Sequence, residues 1–295
     1  MKPRGQVNRQ SQRQALFAPE GSPAELRSLL PRRNGVHPFR SRTAARLAIR
    51  FILIGVGGLC LSAIAAHAQI DGTWIGGTVG APSDWNTGTN WNSVPPDTVP
   101  TGTATFAGAL PTAITFSAPE LTAVQTLSFN APGYTFEVTP PPGDFRLLQI
   151  IGDGIVTSSA LNFPTFNITD ELHFINSSTA GPAIINVSDV SNVTFNLEDR
   201  TSQTSIAKAG TATITAGIAG STDGDTGGFV QFFGHSTADQ ATINAYFGSN
   251  IEFHDESDAG SATITANNGG SIFFNDTATA DQAKITVNAG GELDF

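Results

Sequence analysis

The sequence predicts an all-β protein in which short parallel strands stack as the coils of a β-helix, with about 21 residues per coil. Three observations support this. Residues recur every 21 positions, as in the column Phe253, Phe274 and Phe295. Apolar and polar residues alternate within each repeat, so that one set faces inward, as strands require. Charged residues make up only 14% of the chain, which is few for solvent-exposed helices. A fixed period in this range is typical of solenoids.

Residues 1–68 are predicted to form a long basic leader and signal peptide, disordered or helical, that is cleaved after Ala68. They carry eleven Lys/Arg and two acids, a net charge of +9. The apolar run 51–66 ends in Ala66-His67-Ala68, and a basic flank, a short apolar core and a small-residue site are typical of a secretory signal. The length leaves two explanations open: an extended signal peptide or an over-called start codon.

The remaining chain, 69–295, is strongly acidic. It has four basic residues against 23 acids, a net charge of −19. Such a chain repels nucleic acid and anionic membrane surfaces, so we expect no nucleic acid as a partner. No segment after residue 68 is apolar enough to cross a membrane as a helix, so we expect no membrane span in the mature chain. The sole cysteine of the whole sequence, Cys60, lies in the apolar run 51–66, which leaves the mature part without a thiol for a disulfide or a metal.

Residues 69–110 contain all three tryptophans, Trp74, Trp85 and Trp91. We predict that they form the N-terminal cap of the solenoid, because the first coil has an open strand edge that must be covered. Tryptophan suits this role, since it offers a large apolar area with one polar group. The alternative is an aromatic platform that binds carbohydrate.

Residues 111–295 are predicted to be the β-helix repeats. Apolar alternation in Leu127–Phe129 and Tyr134–Val138, around a Pro-Gly turn, predicts paired or stacked strands. Later repeats predict two strands each, and a third short strand is expected near Ala259 and Ala280.

The repeat slips twice. Ile185, Ile214 and Ile243 are 29 positions apart, which is one period and eight further residues. Because the period is intact on both sides, the additional residues are expected in turn insertions near 196–211 and 221–228.

Asp223 and Asp225 in the second insertion offer oxygen ligands of the kind that Ca²⁺ prefers. The Gly-rich nonapeptide calcium pattern is absent, however, and a polar glycine-rich turn explains these residues as well. We therefore assign no metal ligand.

Two further sets of polar residues are candidates for chemistry. His173, His235 and His254 lie near the phenylalanine columns at different offsets, so we expect solvated histidines and no ladder. Asp255 and Asp276 share one offset, and paired carboxylates can cleave glycosidic bonds. No basic residue joins that column, and Asp directly after a strand is favoured by turn chemistry. We therefore assign no catalytic and no cofactor-binding residue.

Three segments, Asn176–Gly181, Ala262–Gly270 and Leu127–Gly133, together with the Trp-rich entry and the long leader, resemble the passenger domains of bacterial autotransporters (type V secretion). The resemblance implies a right-handed β-helix that is exported and displayed at the cell surface or outer membrane, or released. The family's C-terminal translocator barrel has no counterpart before Phe295. We expect a periplasmic location if the translocator is truly absent.

The expected function is a non-catalytic, structural or adhesive passenger segment without a cofactor, whose ligand is a host or bacterial surface or a polysaccharide. Two alternatives stay open: a secreted β-helix polysaccharide lyase or hydrolase, and a truncated gene fragment without independent function. A groove lined by two acids and a basic residue would favour the enzyme.

Overall fold

The computed structural model describes residues 69–76, 83–108, 112–117, 120–141, 144–159, 161, 163–188, 190–197, 204–222 and 227–295. These residues all fall within one compact unit that spans Ser41–Phe295. The predicted leader and signal peptide lie outside the described residues, and so do Asp223 and Asp225.

The described chain is built from twenty short strands and one 3₁₀ turn, Gly88–Asn90, and this part of the chain has no α-helix. In chain order the strands are β1 (Gly72–Trp74), β2 (Ser83–Asp84), β3 (Trp91–Ser93), β4 (Thr103–Phe106), β5 (Thr112–Thr115), β6 (Leu121–Phe129), β7 (Tyr134–Val138), β8 (Leu147–Thr157), β9 (Thr165–Ile168), β10 (Glu171–Phe174), β11 (Ile184–Val187), β12 (Ser191–Phe195), β13 (Thr213–Ala216), β14 (Gly228–Phe232), β15 (Thr242–Ala245), β16 (Asn250–Phe253), β17 (Thr263–Ala266), β18 (Ser271–Phe274), β19 (Lys284–Val287) and β20 (Glu292–Asp294).

The strands form two long sheets. The first has the order β3-β1-β4-β6-β8-β10-β12-β14-β16-β18-β20, and the second has the order β2-β5-β7-β9-β11-β13-β15-β17-β19. Every described pair is parallel except β1 with β3. The chain thus alternates between the sheets and advances along both, as the coils of a β-helix or solenoid do. The predicted all-β stack of parallel strands is confirmed at this level.

Like residues superpose along the stack. Phe253 lies opposite Phe274 and Ile251 opposite Ile272, each 21 positions on. Six phenylalanine rings form one column with centroid separations of 4.7–5.0 Å, namely Phe174, Phe195, Phe232, Phe253, Phe274 and Phe295. Most of these rings are buried, so this column forms the spine of the apolar core.

The predicted register also holds across the two slips. Ile185 pairs with Ile214, and Ile214 with Ile243, although each pair is 29 positions apart. The additional residues lie between β12 and β13 and between β13 and β14. Insertions at turns leave the strand ladders intact.

The third short strand expected near Ala259 and Ala280 is reduced to a column of parallel single-residue bridges. The chain forms only single-residue bridges there, such as Asp258 with Thr279. The reason is the spacing of the corners: Asp255 and Gly260 both have positive φ, of 58° and 54°. Two left-handed corners five residues apart leave no room for a regular strand.

The coils become narrower along the chain at β8. Its first half, Leu147–Ile150, pairs with both β6 and β10. Its second half, Gly154–Thr157, pairs along its length with Thr126–Phe129 of β6 alone. The next coil meets this half through the single bridge from Gly154 to Thr179. The end of β8 therefore projects as a shelf.

Candidate functional site

Two Glu–His pairs lie on the outer face of the first sheet, one on β10 and one on β16. Glu171 and His173 alternate with the buried core residues Leu172 and Phe174, so their side chains point away from the interior. The same alternation places Glu252 and His254 on that face. Within the described chain, these two pairs have the shortest distances between a carboxylate oxygen and an imidazole nitrogen.

The first pair is shielded from water. His173 Nε2 lies 2.9 Å from Glu171 Oε2, and the two side chains are only 2% and 1% exposed. Gln149 and Thr194 lie opposite His173 on the neighbouring strands. Asn192 Nδ2 donates to Glu171 Oε1 at 3.3 Å. The expectation of a solvated histidine is therefore wrong for His173.

The second pair is half-buried. His254 Nε2 lies 3.3 Å from Glu252 Oε2, with side chains 24% and 16% exposed. Gln231 Nε2 donates to Glu252 Oε2 at 2.7 Å and Asn250 Nδ2 to Oε1 at 3.0 Å. The His254 ring stacks on Phe233, with centroids 4.8 Å apart.

These contacts determine what Glu252 can do. Burial alone would raise the pKa of Glu252, but hydrogen bonds from His254, Gln231 and Asn250 outweigh it, so the pKa lies below its ordinary value. A carboxylate that stays ionised is no proton donor at neutral pH, and both of its oxygens already accept hydrogen bonds from this chain. Its evident role is to link β14 with β16 across the outer face.

Two acids and an arginine adjoin one another in the described chain, but they do so through the backbone of Arg146. The Arg146 backbone N–H donates to Asp170 Oδ2, and Arg146 Nε donates to the Phe116 carbonyl at 3.1 Å. The Glu171 backbone N–H in turn donates to the Arg146 carbonyl. Arg146, Asp170 and Glu171 are at most 5% exposed. This set therefore does not line a groove that a polysaccharide could enter.

Asp255 and Asp276 serve the turns, as their position after a strand predicts. Both adopt positive φ, of 58° and 57°, and Asn176 does the same at 56°. Asp255 Oδ2 accepts from the Gly234 backbone N–H at 3.0 Å, and Asp276 Oδ2 accepts from that of Asp255 at 3.2 Å. Each carboxylate thus binds the preceding coil, which accounts for the column without catalysis.

The tryptophans pack inside the stack. Trp91 makes edge-on contacts with Trp74 and Trp85, at centroid distances of 4.8 and 4.7 Å, and its Nε1–H donates to the Trp85 carbonyl. All three rings are at most 5% exposed. They are therefore not presented to solvent as a carbohydrate platform.

His235 lies at the surface, 3.4 Å from Glu256. Within the described ranges, no three His, Cys, Asp or Glu side chains converge in a way that suits a metal ion. No helix of the described part has the length and apolar character to span a bilayer.

Comparison with protein-family models, with curated proteins and with solved structures finds no match to this chain. One sequence signal could have found the Glu–His pairs: the spacing Glu-x-His, which begins at Glu171 and at Glu252 and which strand alternation places on one face. Periodicity carries no information on what covers that face.

Proposed function

We propose that this chain is the non-catalytic passenger segment of an autotransporter-like cell-surface or secreted protein, with a structural or adhesive role. One observation carries the proposal: polar side chains on the outer faces bind the neighbouring coil. Gln231 binds Glu252, Asn288 binds Asn267, and similar pairs are Asn186 with Asn167, Thr237 with Asp258 and Ser271 with Glu292. Their chemistry is used to hold the stack together.

The architecture that we propose is a right-handed parallel β-helix of about 21 residues per coil. The regular ladders from β14 to β20 support the coil length, since paired residues such as Phe232 and Phe253 lie 21 positions apart. Handedness is supported by the strong general preference for right-handed crossovers between parallel strands.

A stack of this kind suits an adhesive scaffold. Each coil contacts mainly its neighbours, so the fold offers long flat faces whose outward residues can vary without disturbing the core. The outward positions on the second sheet are mostly Thr and Asn, as in Thr242–Ala245 and Thr263–Ala266.

Expression of the full chain in a Gram-negative host, with a C-terminal epitope, tests this proposal. We expect export, a mature N-terminus at Gln69 by mass spectrometry, and stronger attachment of protein-coated beads to cells than of beads coated with albumin. Retention in the cytoplasm would contradict the proposal, and so would release of reducing ends or unsaturated products from polysaccharides.

A further inference from the structure

A shallow groove lies beside the shelf at the end of β8, with a volume of about 630 Å³. It forms where the second half of β8, Gly154–Thr157, pairs with β6 but has no paired strand in the following coil. The groove lies outside the sites described above. Its lining consists of the residues Thr157, Ser158, Ser159, Phe163, Pro182 and Thr211.

The groove combines an aromatic ring with hydroxyl groups. Phe163 is 41% exposed, and Leu161, two positions before it, is 78% exposed. Four of the lining residues carry hydroxyls, which can both donate and accept hydrogen bonds. Ser159 Oγ also accepts from the Leu161 N–H at 3.3 Å, and Thr211 Oγ1 donates to the Gly181 carbonyl at 3.5 Å. None of the described lining residues is charged.

The backbone that carries these hydroxyls is fixed by the stack. The Ser158 N–H donates to the Phe129 carbonyl at 2.9 Å, and the Thr211 N–H donates to the Gly181 carbonyl at 3.0 Å. Phe163, Pro182 and Thr211 each precede a second-sheet strand by two residues, so they stand in one column on successive coils. Such a surface loses little conformational freedom when it binds a ligand.

We propose that this groove binds a short neutral saccharide, which deepens and rests on the adhesive role proposed above. A sugar ring offers an apolar C–H face to Phe163 and hydroxyls to the serine and threonine side chains. The volume falls within the range of ligand sites, roughly 300–1,000 Å³. The uncharged lining and the acidic chain around it disfavour anionic ligands.

Isothermal titration of the mature chain tests the site, with neutral hexasaccharides of glucose, mannose and N-acetylglucosamine as probes and oligogalacturonate as the anionic comparison. We expect at least one neutral probe to bind. Phe163→Ala should weaken that binding by about tenfold, and Thr211→Val should weaken it by a smaller factor. Thr242→Val, an exposed change on the second sheet, should leave it unchanged. Equal melting temperatures would show that all variants fold.

The groove assignment is overturned if none of the neutral probes binds at millimolar concentration, if Phe163→Ala binds like the wild type, or if oligogalacturonate is preferred. Bead attachment separates this failure from failure of the proposed function. If Phe163→Ala beads still attach, only the saccharide site in the groove is contradicted. If the wild-type chain is neither exported nor able to attach beads, the adhesive role itself is contradicted.

Discussion

The two Glu–His pairs share a sheet face and differ in surroundings. The pair on β10 is sealed, whereas the pair on β16, three strands along, is open to solvent on one side. The first pair lies on the strand that precedes β12 in the first sheet; after β12 the repeat is interrupted, and Asn196 Nδ2 donates to the Ser205 carbonyl across that interruption. Around the second pair the repeat is regular. The same outward position is therefore buried on one coil and partly exposed on another.

The largest loss of stability is expected from a change in the apolar interior, and the losses at the two Glu–His pairs can be compared with it. Phe274→Ala should lower the free energy of unfolding by roughly 3–5 kcal/mol, because it removes a ring stacked between Phe253 and Phe295. Phe273→Ala is the matched control, since the adjacent ring points outward and is partly exposed. Urea denaturation of both variants measures the difference. Equal losses would show that the inward column is misassigned.

The sealed pair should behave like the interior. His173→Ala should cost about 3 kcal/mol, because it leaves the buried Glu171 carboxylate without its imidazole partner. His254→Ala should cost at most about 1 kcal/mol, because water can reach Glu252. Thermal and urea melts of the two variants test this, and similar costs for both histidines would remove the distinction between the pairs.

The irregular region should also hold backbone strain. Val190 has φ of 60° at the corner where regular coils place Gly248, Gly269 and Gly290. A β-branched residue is strained there, so Val190→Gly should raise the free energy of unfolding by about 1 kcal/mol. The reverse change, Gly269→Val, is the control and should destabilise, since a Cβ would lie 2.3 Å from the Phe247 ring. A loss of stability in Val190→Gly would contradict the strain.

We expect the smallest change in the free energy of unfolding from Glu252 of the half-buried pair, and we expect it at acidic pH. Because the pKa of Glu252 is lowered on folding, its stabilisation is complete above the ordinary glutamate value of about 4.3 and is lost as pH falls through the lowered pKa. In Glu252→Gln, the free energy of unfolding should therefore fall less steeply than in the wild type as the pH is lowered below about 4.3. Glu292→Gln, an exposed carboxylate on the same sheet, is the control. An unchanged acid limb in Glu252→Gln would contradict the assignment.

Periodicity predicted what depends on alternation and register. The Phe253–Phe274 column and the pairing of Ile185 with Ile214 follow from residue spacing, because identical side chains superpose when coils stack. Burial of His173 could not be predicted this way, since it depends on the side chains that the neighbouring strands place opposite it, Gln149 and Thr194. The length of the third strand could not be predicted for a related reason. Asp255 and Gly260 adopt positive φ at the corners, and aspartate can adopt either positive or negative φ.

Cysteine cross-linking tests the central claim, that residues one period apart lie on neighbouring rungs. In a chain with Cys60→Ser, the pair Thr242→Cys and Thr263→Cys lies in register on β15 and β17. Neighbouring strands are about 4.8 Å apart, which a disulfide can span. Mild oxidation should therefore join this pair and leave Thr242→Cys with Thr265→Cys unjoined. Efficient joining of the second pair, or failure of the first, would contradict the stack.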